Sequence, residues 1–170
     1  LFLNGCSGDQ NPYPRREVAY AETHGRSLAL AVEAALQTPP VALGGTIRAA
    51  MREIPLKFDT LPTRAELEVR SKSNDKLDST LALHLLGELD AGRPLPTEYP
   101  YPVQVIRLGD TLTLIALGGE VVVDYSLRLQ KEIHDPVVWV AGYSNDVMTY
   151  IPSRRVWEEG GYEGGDAMKW

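Results

Sequence analysis

Three loops of this chain carry the side chains best placed for chemistry, and each follows an apolar run that reads as a buried strand. Gly5–Pro14 holds Asp9 and Asn11, Gly118-Gly119-Glu120 is a tight turn, and Gly142–Pro152 holds Asn145, Asp146 and Tyr150. In open α/β sheets, ligands gather beyond the carboxyl ends of the strands. If these strands run parallel, the six polar residues converge on one edge. Glu120 is the sharpest of them. An acidic side chain behind two glycines sits where backbone can approach a ligand closely, and at a helix N-terminus the dipole favours a carboxylate. The same position also suits a plain helix cap. Tyr150, taken alone, reads first as a packing residue, as a lone tyrosine near a short helix usually is.

Other reactive side chains carry less. His24 and His84 lie on helix flanks with no second histidine at metal-ligand spacing, and His134 sits just past a helix end. Cys6-Ser7 lies in a glycine loop, yet there is no G-x-S-x-G elbow and no histidine nearby. Gly160–Gly165 lacks the Lys-Ser/Thr ending of a phosphate loop and reads as a mobile or closely packed lid segment. Arg15-Arg16 and Arg154-Arg155 read as solvated, with one arginine free to orient a carboxylate.

The elements that must position these loops follow from periodicity. Leu1–Gly5 resembles the middle of a buried strand. A helix is predicted over Arg15–Gln37, from Val18, Ala21, Leu28, Val32 and Ala35, and is stopped by Pro39-Pro40. A strand follows over Gly45–Leu56. Thr63-Arg64-Ala65-Glu66 spells a capping box, and Leu77, Leu81, Leu85 and Leu89 predict a second helix. Arg93–Pro102, with its prolines and tyrosines, reads as a stiff connector. Strands are expected at Val103–Leu108 and Leu112–Leu117 around the Gly109-Asp110 turn. A helix with Val122, Tyr125, Leu129 and Ile133 on one face comes next, then a strand at Val137–Val140 and a short helix near Ser153–Glu158. Alternating strands and helices predict an α/β protein with a mixed β-sheet flanked by helices.

Composition narrows the function. The 170 residues carry 17 basic and 23 acidic side chains, a net charge of −6, which repels phosphate backbones and argues against a nucleic-acid partner. No apolar run reaches membrane-spanning length. The single cysteine rules out an internal disulfide and a cysteine-rich zinc site. The opening Leu1-Phe2-Leu3 and the ending Met168-Lys169-Trp170 both read as cuts through a larger domain, so residues 1–170 are expected to be part of one catalytic domain truncated at both ends.

Taken together, Gly8-Asp9-Gln10-Asn11-Pro12, Leu117-Gly118-Gly119-Glu120, the segment Ala141–Tyr150 and Tyr162-Glu163-Gly164-Gly165 resemble the neutral/alkaline, non-lysosomal ceramidase family. The resemblance spans nearly the whole chain, as the later part of that family's catalytic domain. It implies a zinc-dependent hydrolase that cleaves the amide of ceramide to sphingosine and a fatty acid. It makes Glu120 and Tyr150 zinc ligands and places Tyr162 near the scissile amide. Two further zinc ligands, both histidines, are expected upstream of Leu1. The family's loop reads Gly-Asp-x-Ser-Pro, and here Asn11 takes the serine position; an amide there can donate to a developing oxyanion. Another N-acyl amide as substrate, or a catalytically silent lipid- or glycan-binding relative, are the alternatives. The family also suggests a secreted or periplasmic location.

Overall fold

A computed structural model describes residues 2–167. Its centre is a four-stranded sheet of β1 (Ile47–Lys57), β2 (Glu98–Leu108), β3 (Leu112–Leu117) and β5 (Val137–Ala141), in the order β1-β2-β3-β5. β1/β2 and β2/β3 are antiparallel, whereas β3 and β5 run parallel with Ala116 opposite Ala141. The class is therefore α/β with a mixed sheet, as the sequence predicts. A second, two-stranded parallel sheet pairs β4 (Glu120–Val121) with β6 (Tyr150–Ile151).

The helices are α1 (Val18–Leu36), α2 (Arg64–Arg70), α3 (Lys76–Asp90), α4 (Val123–Glu132) and α5 (Arg154–Glu159), followed by a π-helical turn at Tyr162–Asp166. One face of the central sheet, carrying Tyr101, Ile115, Leu117 and Val140, makes the main core. α4 covers that core with Tyr125, Leu129 and Ile133, the stripe expected from its periodicity. Leu67, Ala82 and Leu85 make a separate small core between α2 and α3. α2 opens on the capping box, with Thr63 accepting from the Glu66 N–H and Glu66 from the Thr63 N–H. Among the described residues no helix is long and apolar enough to cross a membrane.

Four expectations need correction. The opening strand is absent over Phe2–Asn4; only Gly5 forms an isolated bridge, to Ala141, and Leu1 lies outside the described residues. The stiff connector ends early, because β2 already begins at Glu98. Residues 98–102 pair with β1 alone, since β3 joins β2 only from Val103. That leaves one flank free of partners, where Pro100 and Pro102 are tolerated without a ladder N–H. The Gly142–Pro152 loop contains a strand, β6. The stripe on α1 packs on nothing: Val18, Leu28 and Val32 are all exposed, and the helix buries no residue. Met168, Lys169 and Trp170 also lie outside the described residues.

Candidate active site

The exits of β3 and β5 share an edge, and the Gly5 bridge brings the first loop to the same place. The loop is then fastened to β4. The Gly8 N–H donates to the Val121 carbonyl at 2.9 Å, and the Asp9 carboxylate accepts the Val123 N–H at 2.8 Å. Asp9 thereby satisfies the first turn of α4, whose own N-cap residue, Val122, makes no side-chain cap. Glu120 is thus not the helix cap; it stands in β4, three residues before the helix starts.

The glycine pair also works differently from the expectation. Gly119 has a φ of 74°, and a β-carbon there would meet the Thr149 carbonyl oxygen and Ile151 Cγ1 at 2.7 Å. At Gly118 it would meet Pro102 at 3.0 Å and the Asp146 carbonyl oxygen at 3.3 Å. These glycines admit the backbone of the neighbouring loop and strand, not a ligand. With them, Gly119 N–H reaches the Asp146 carbonyl at 2.7 Å and Glu120 N–H the Thr149 carbonyl at 2.9 Å. The result is the short parallel ladder in which Glu120 lies directly opposite Tyr150.

Parallel neighbours point to the same side of a sheet, and here that side lines a cavity of about 460 Å³. One group of lining residues, Ser7, Gly8, Gln10, Asn11 and Arg15, comes from the first loop. The other group is Glu120, Tyr143, Tyr150, Tyr162 and Glu163. The first group is rich in N–H and O–H donors, the second in carboxylates and phenols.

The second group is interlocked. The Tyr143 hydroxyl donates to Glu120 Oε2 at 3.3 Å. Tyr143 holds a φ of 52°, in the left-handed region, fixed by its N–H to the Gly119 carbonyl at 3.0 Å. Strained backbone of this kind concentrates at functional sites. The Tyr162 ring stands edge-on to Tyr150, with centroids 5.5 Å apart, and is itself exposed. Burial, then the adjacent Glu120 carboxylate, push the Tyr150 phenol up to about 12.

Three of the six residues expected to converge do so: Asn11, Glu120 and Tyr150. The other three hold structure. Asp9 caps α4, Asp146 accepts from the Tyr99 hydroxyl, and Asn145 reaches Gln104 at 3.4 Å. Tyr143, Arg15 and Glu163 line the cavity without having been singled out as site residues. Tyr143 had a readable signal, a tyrosine beside the site loop's glycine; Arg15 resembled any solvated arginine. Cys6 is buried, and burial raises its thiol to about 11, which removes it as a nucleophile. His24 is tied to the Pro14 carbonyl at 2.8 Å, while His84 and His134 are exposed away from the cavity. Gly164 packs on the backbone of α5, where a β-carbon would meet the Val156 oxygen at 2.5 Å.

As metal donors, Glu120 and Tyr150 offer one carboxylate and one phenol side by side. Catalytic zinc takes three protein ligands as a rule. Among the described residues no group of three or more His, Cys, Asp or Glu side chains is arranged to hold a metal. The residues present therefore fit two positions of a zinc site and do not make a complete one.

Behind Tyr150 lies a second cavity of about 410 Å³, lined by Leu56, Phe58, Tyr99, Tyr125, Met148 and Ile151 among others. Tyr150 is common to both cavities, so the polar site opens beside an apolar one. Compared with protein-family models, curated proteins and solved structures, the chain matches none of them.

Proposed function

We propose that this chain forms part of a zinc-dependent amide hydrolase of the ceramidase type. The observation that carries the reading is the register of β4 and β6. Glu120 and Tyr150, 30 residues apart in sequence, face one cavity as direct neighbours. Asn11 and Tyr162 line that same cavity.

In this reading Glu120 and Tyr150 hold zinc together with two histidines supplied by sequence ahead of Leu1. When bound, zinc supplies Lewis-acid polarisation of the amide carbonyl. The chain's own residues do the rest. Tyr143 fixes the Glu120 carboxylate through its hydroxyl, setting the direction of the donor oxygen. The Asn11 side-chain N–H donates to the carbonyl oxygen as charge develops on it. Tyr162, packed against Tyr150, orients the amide group. The apolar cavity behind Tyr150 takes part of the acyl chain and excludes water from the reacting bond.

The test uses the full-length polypeptide, which this reading requires to carry the two histidines. Zinc stoichiometry is measured by elemental analysis, and hydrolysis is followed on a short-chain fluorescent ceramide. Glu120→Gln is expected to lower zinc content and to cut activity by about 100-fold or more. A Glu120→Gln protein with full zinc and full activity refutes the ligand assignment. Asn11, which cannot act as a hydroxyl nucleophile, favours a second reading in which the substrate is another N-acyl amide. Assaying ceramide beside N-acyl amino acids separates the two.

A further inference from the structure

Among the described residues lining the polar cavity Arg15 is the only cation, and it stands with Ser7, Gln10 and Asn11 on the donor side. Among the described residues it makes no ion pair, although eight other arginines do. Two carboxylates, Glu120 and Glu163, line the same cavity without neutralising it. The position of Arg15 is set from both sides. Its predecessor Pro14 is bonded through its carbonyl to His24 on α1, and two residues later Glu17 begins that helix.

We propose that Arg15 is a specificity-determining residue that binds the carboxylate of an N-acyl amino acid. The inference rests on the amide-hydrolase reading above and names its substrate class. A planar guanidinium pairs with a carboxylate through two parallel N–H···O bonds. Asn11, four residues earlier on the same loop, lines the same cavity, where its amide serves the scissile carbonyl and leaves the carboxylate to Arg15. Glu120 and Glu163 repel an anion, so in the zinc-free protein a substrate carboxylate entering this cavity has Arg15 as its one cationic partner among the described residues. That fixes orientation: the acid end lies at Arg15 and the acyl chain runs towards the apolar cavity beyond Tyr150. Ceramide has no carboxylate and leaves Arg15 unpaired, which is the chemical basis for discrimination.

The test is calorimetric binding to the intact, zinc-free polypeptide, with N-lauroylglycine and its uncharged analogue N-lauroylglycinamide as probes. The acid is expected to bind at least about tenfold more tightly than the amide. Arg15→Gln abolishes that preference by weakening the acid far more than the amide, and Arg15→Lys retains part of it. Arg26→Gln, an exposed arginine on α1 away from the cavity, leaves both affinities unchanged. Raising salt narrows the gap between acid and amide in the native protein alone. Equal binding of both probes, or a preference that survives Arg15→Gln, overturns the Arg15 assignment and leaves the amide-hydrolase reading intact. Binding of neither probe overturns the assignment too. If ceramide is still hydrolysed in the zinc-loaded protein, the broader reading survives that outcome; if it is not, both fail.

Discussion

Gly8 tests whether the first loop and β4 form one site, because nothing larger fits between them. A β-carbon at Gly8 would stand 2.4 Å from the Glu120 carbonyl oxygen, 2.9 Å from its carbonyl carbon and 3.1 Å from that of Val121. All three atoms are backbone, so no flexible side chain can swing away. Restoring ordinary contact at about 3.4 Å requires the two segments to separate by roughly 1 Å. That movement stretches the Gly8–Val121 hydrogen bond and the Asp9 cap on α4. Overpacking of this kind costs about 1–3 kcal/mol, which in a chain of this size lowers Tm by roughly 2–12 °C. Asn11 moves with the loop, so if the cavity hydrolyses an amide as proposed, a displacement of about 1 Å at its reacting centre would lower turnover about 100-fold. Gly8→Ala is therefore compared with Gly5→Ala, where a β-carbon meets nothing within 4 Å. Scanning calorimetry is expected to show a clear fall in Tm for Gly8→Ala and a change within about 0.5 kcal/mol for Gly5→Ala. Equal Tm values for the two variants would refute the close approach, and the cavity geometry with it.

Two further substitutions probe the frame around the site through pH. Asp124 accepts from Arg155 at 3.0 and 3.1 Å and from Ser153 at 2.6 Å, and these partners, Arg155 foremost, hold its carboxyl below the usual range. Its stabilisation is present above the ordinary aspartate value of about 3.9 and is lost as pH falls through the folded value. Asp124→Asn should flatten the acid limb of a Tm-against-pH curve and cost less than about 1 kcal/mol at neutral pH, since Arg155 is half exposed; an unchanged acid limb would contradict this. Tyr101 is buried and donates to the Gly118 carbonyl at 2.9 Å, with burial raising its phenol above the usual range. The neutral form is favoured on folding, so stability falls as pH rises above about 10 towards the folded value. Tyr101→Phe should lose about 1 kcal/mol at pH 7 and show a shallower alkaline decline in urea midpoint; parallel curves for the two proteins would show that Tyr101 does not drive it.

Most of the architecture was readable because it rests on local patterns. The Tyr125-Leu129-Ile133 spacing predicts the buried face of α4, and Thr63–Glu66 spells the start of α2. What escaped depends on partners distant in sequence. β6 is two residues long and exists only because β4 lies beside it, so no periodicity marks it. Asp9 caps a helix 114 residues away, a role that no local motif announces. The glycines after β3 were legible as a close approach, but not what approaches. Of the lining residues, Asn11, Glu120, Tyr150 and Tyr162 are expected from the sequence; Tyr143 and Glu163 stand there only inside longer motifs and Arg15 as one of four arginines able to orient a carboxylate, and only the fold brings these three to the cavity.

The clamp between Asp9 and Val123 also sets an order of events during synthesis. Chains elongate at about 5–20 residues per second, and the 114 residues separating the two groups therefore take roughly 6–23 s to make. Throughout that interval the donor loop has no β4 to dock on, and Tyr150 arrives later still. A nascent chain thus carries Asn11 and Arg15 exposed but without Glu120 opposite them. The cavity closes only once β4 and β6 have paired, so the meeting of Asn11 with Glu120 and Tyr150 comes late in the synthesis of these residues.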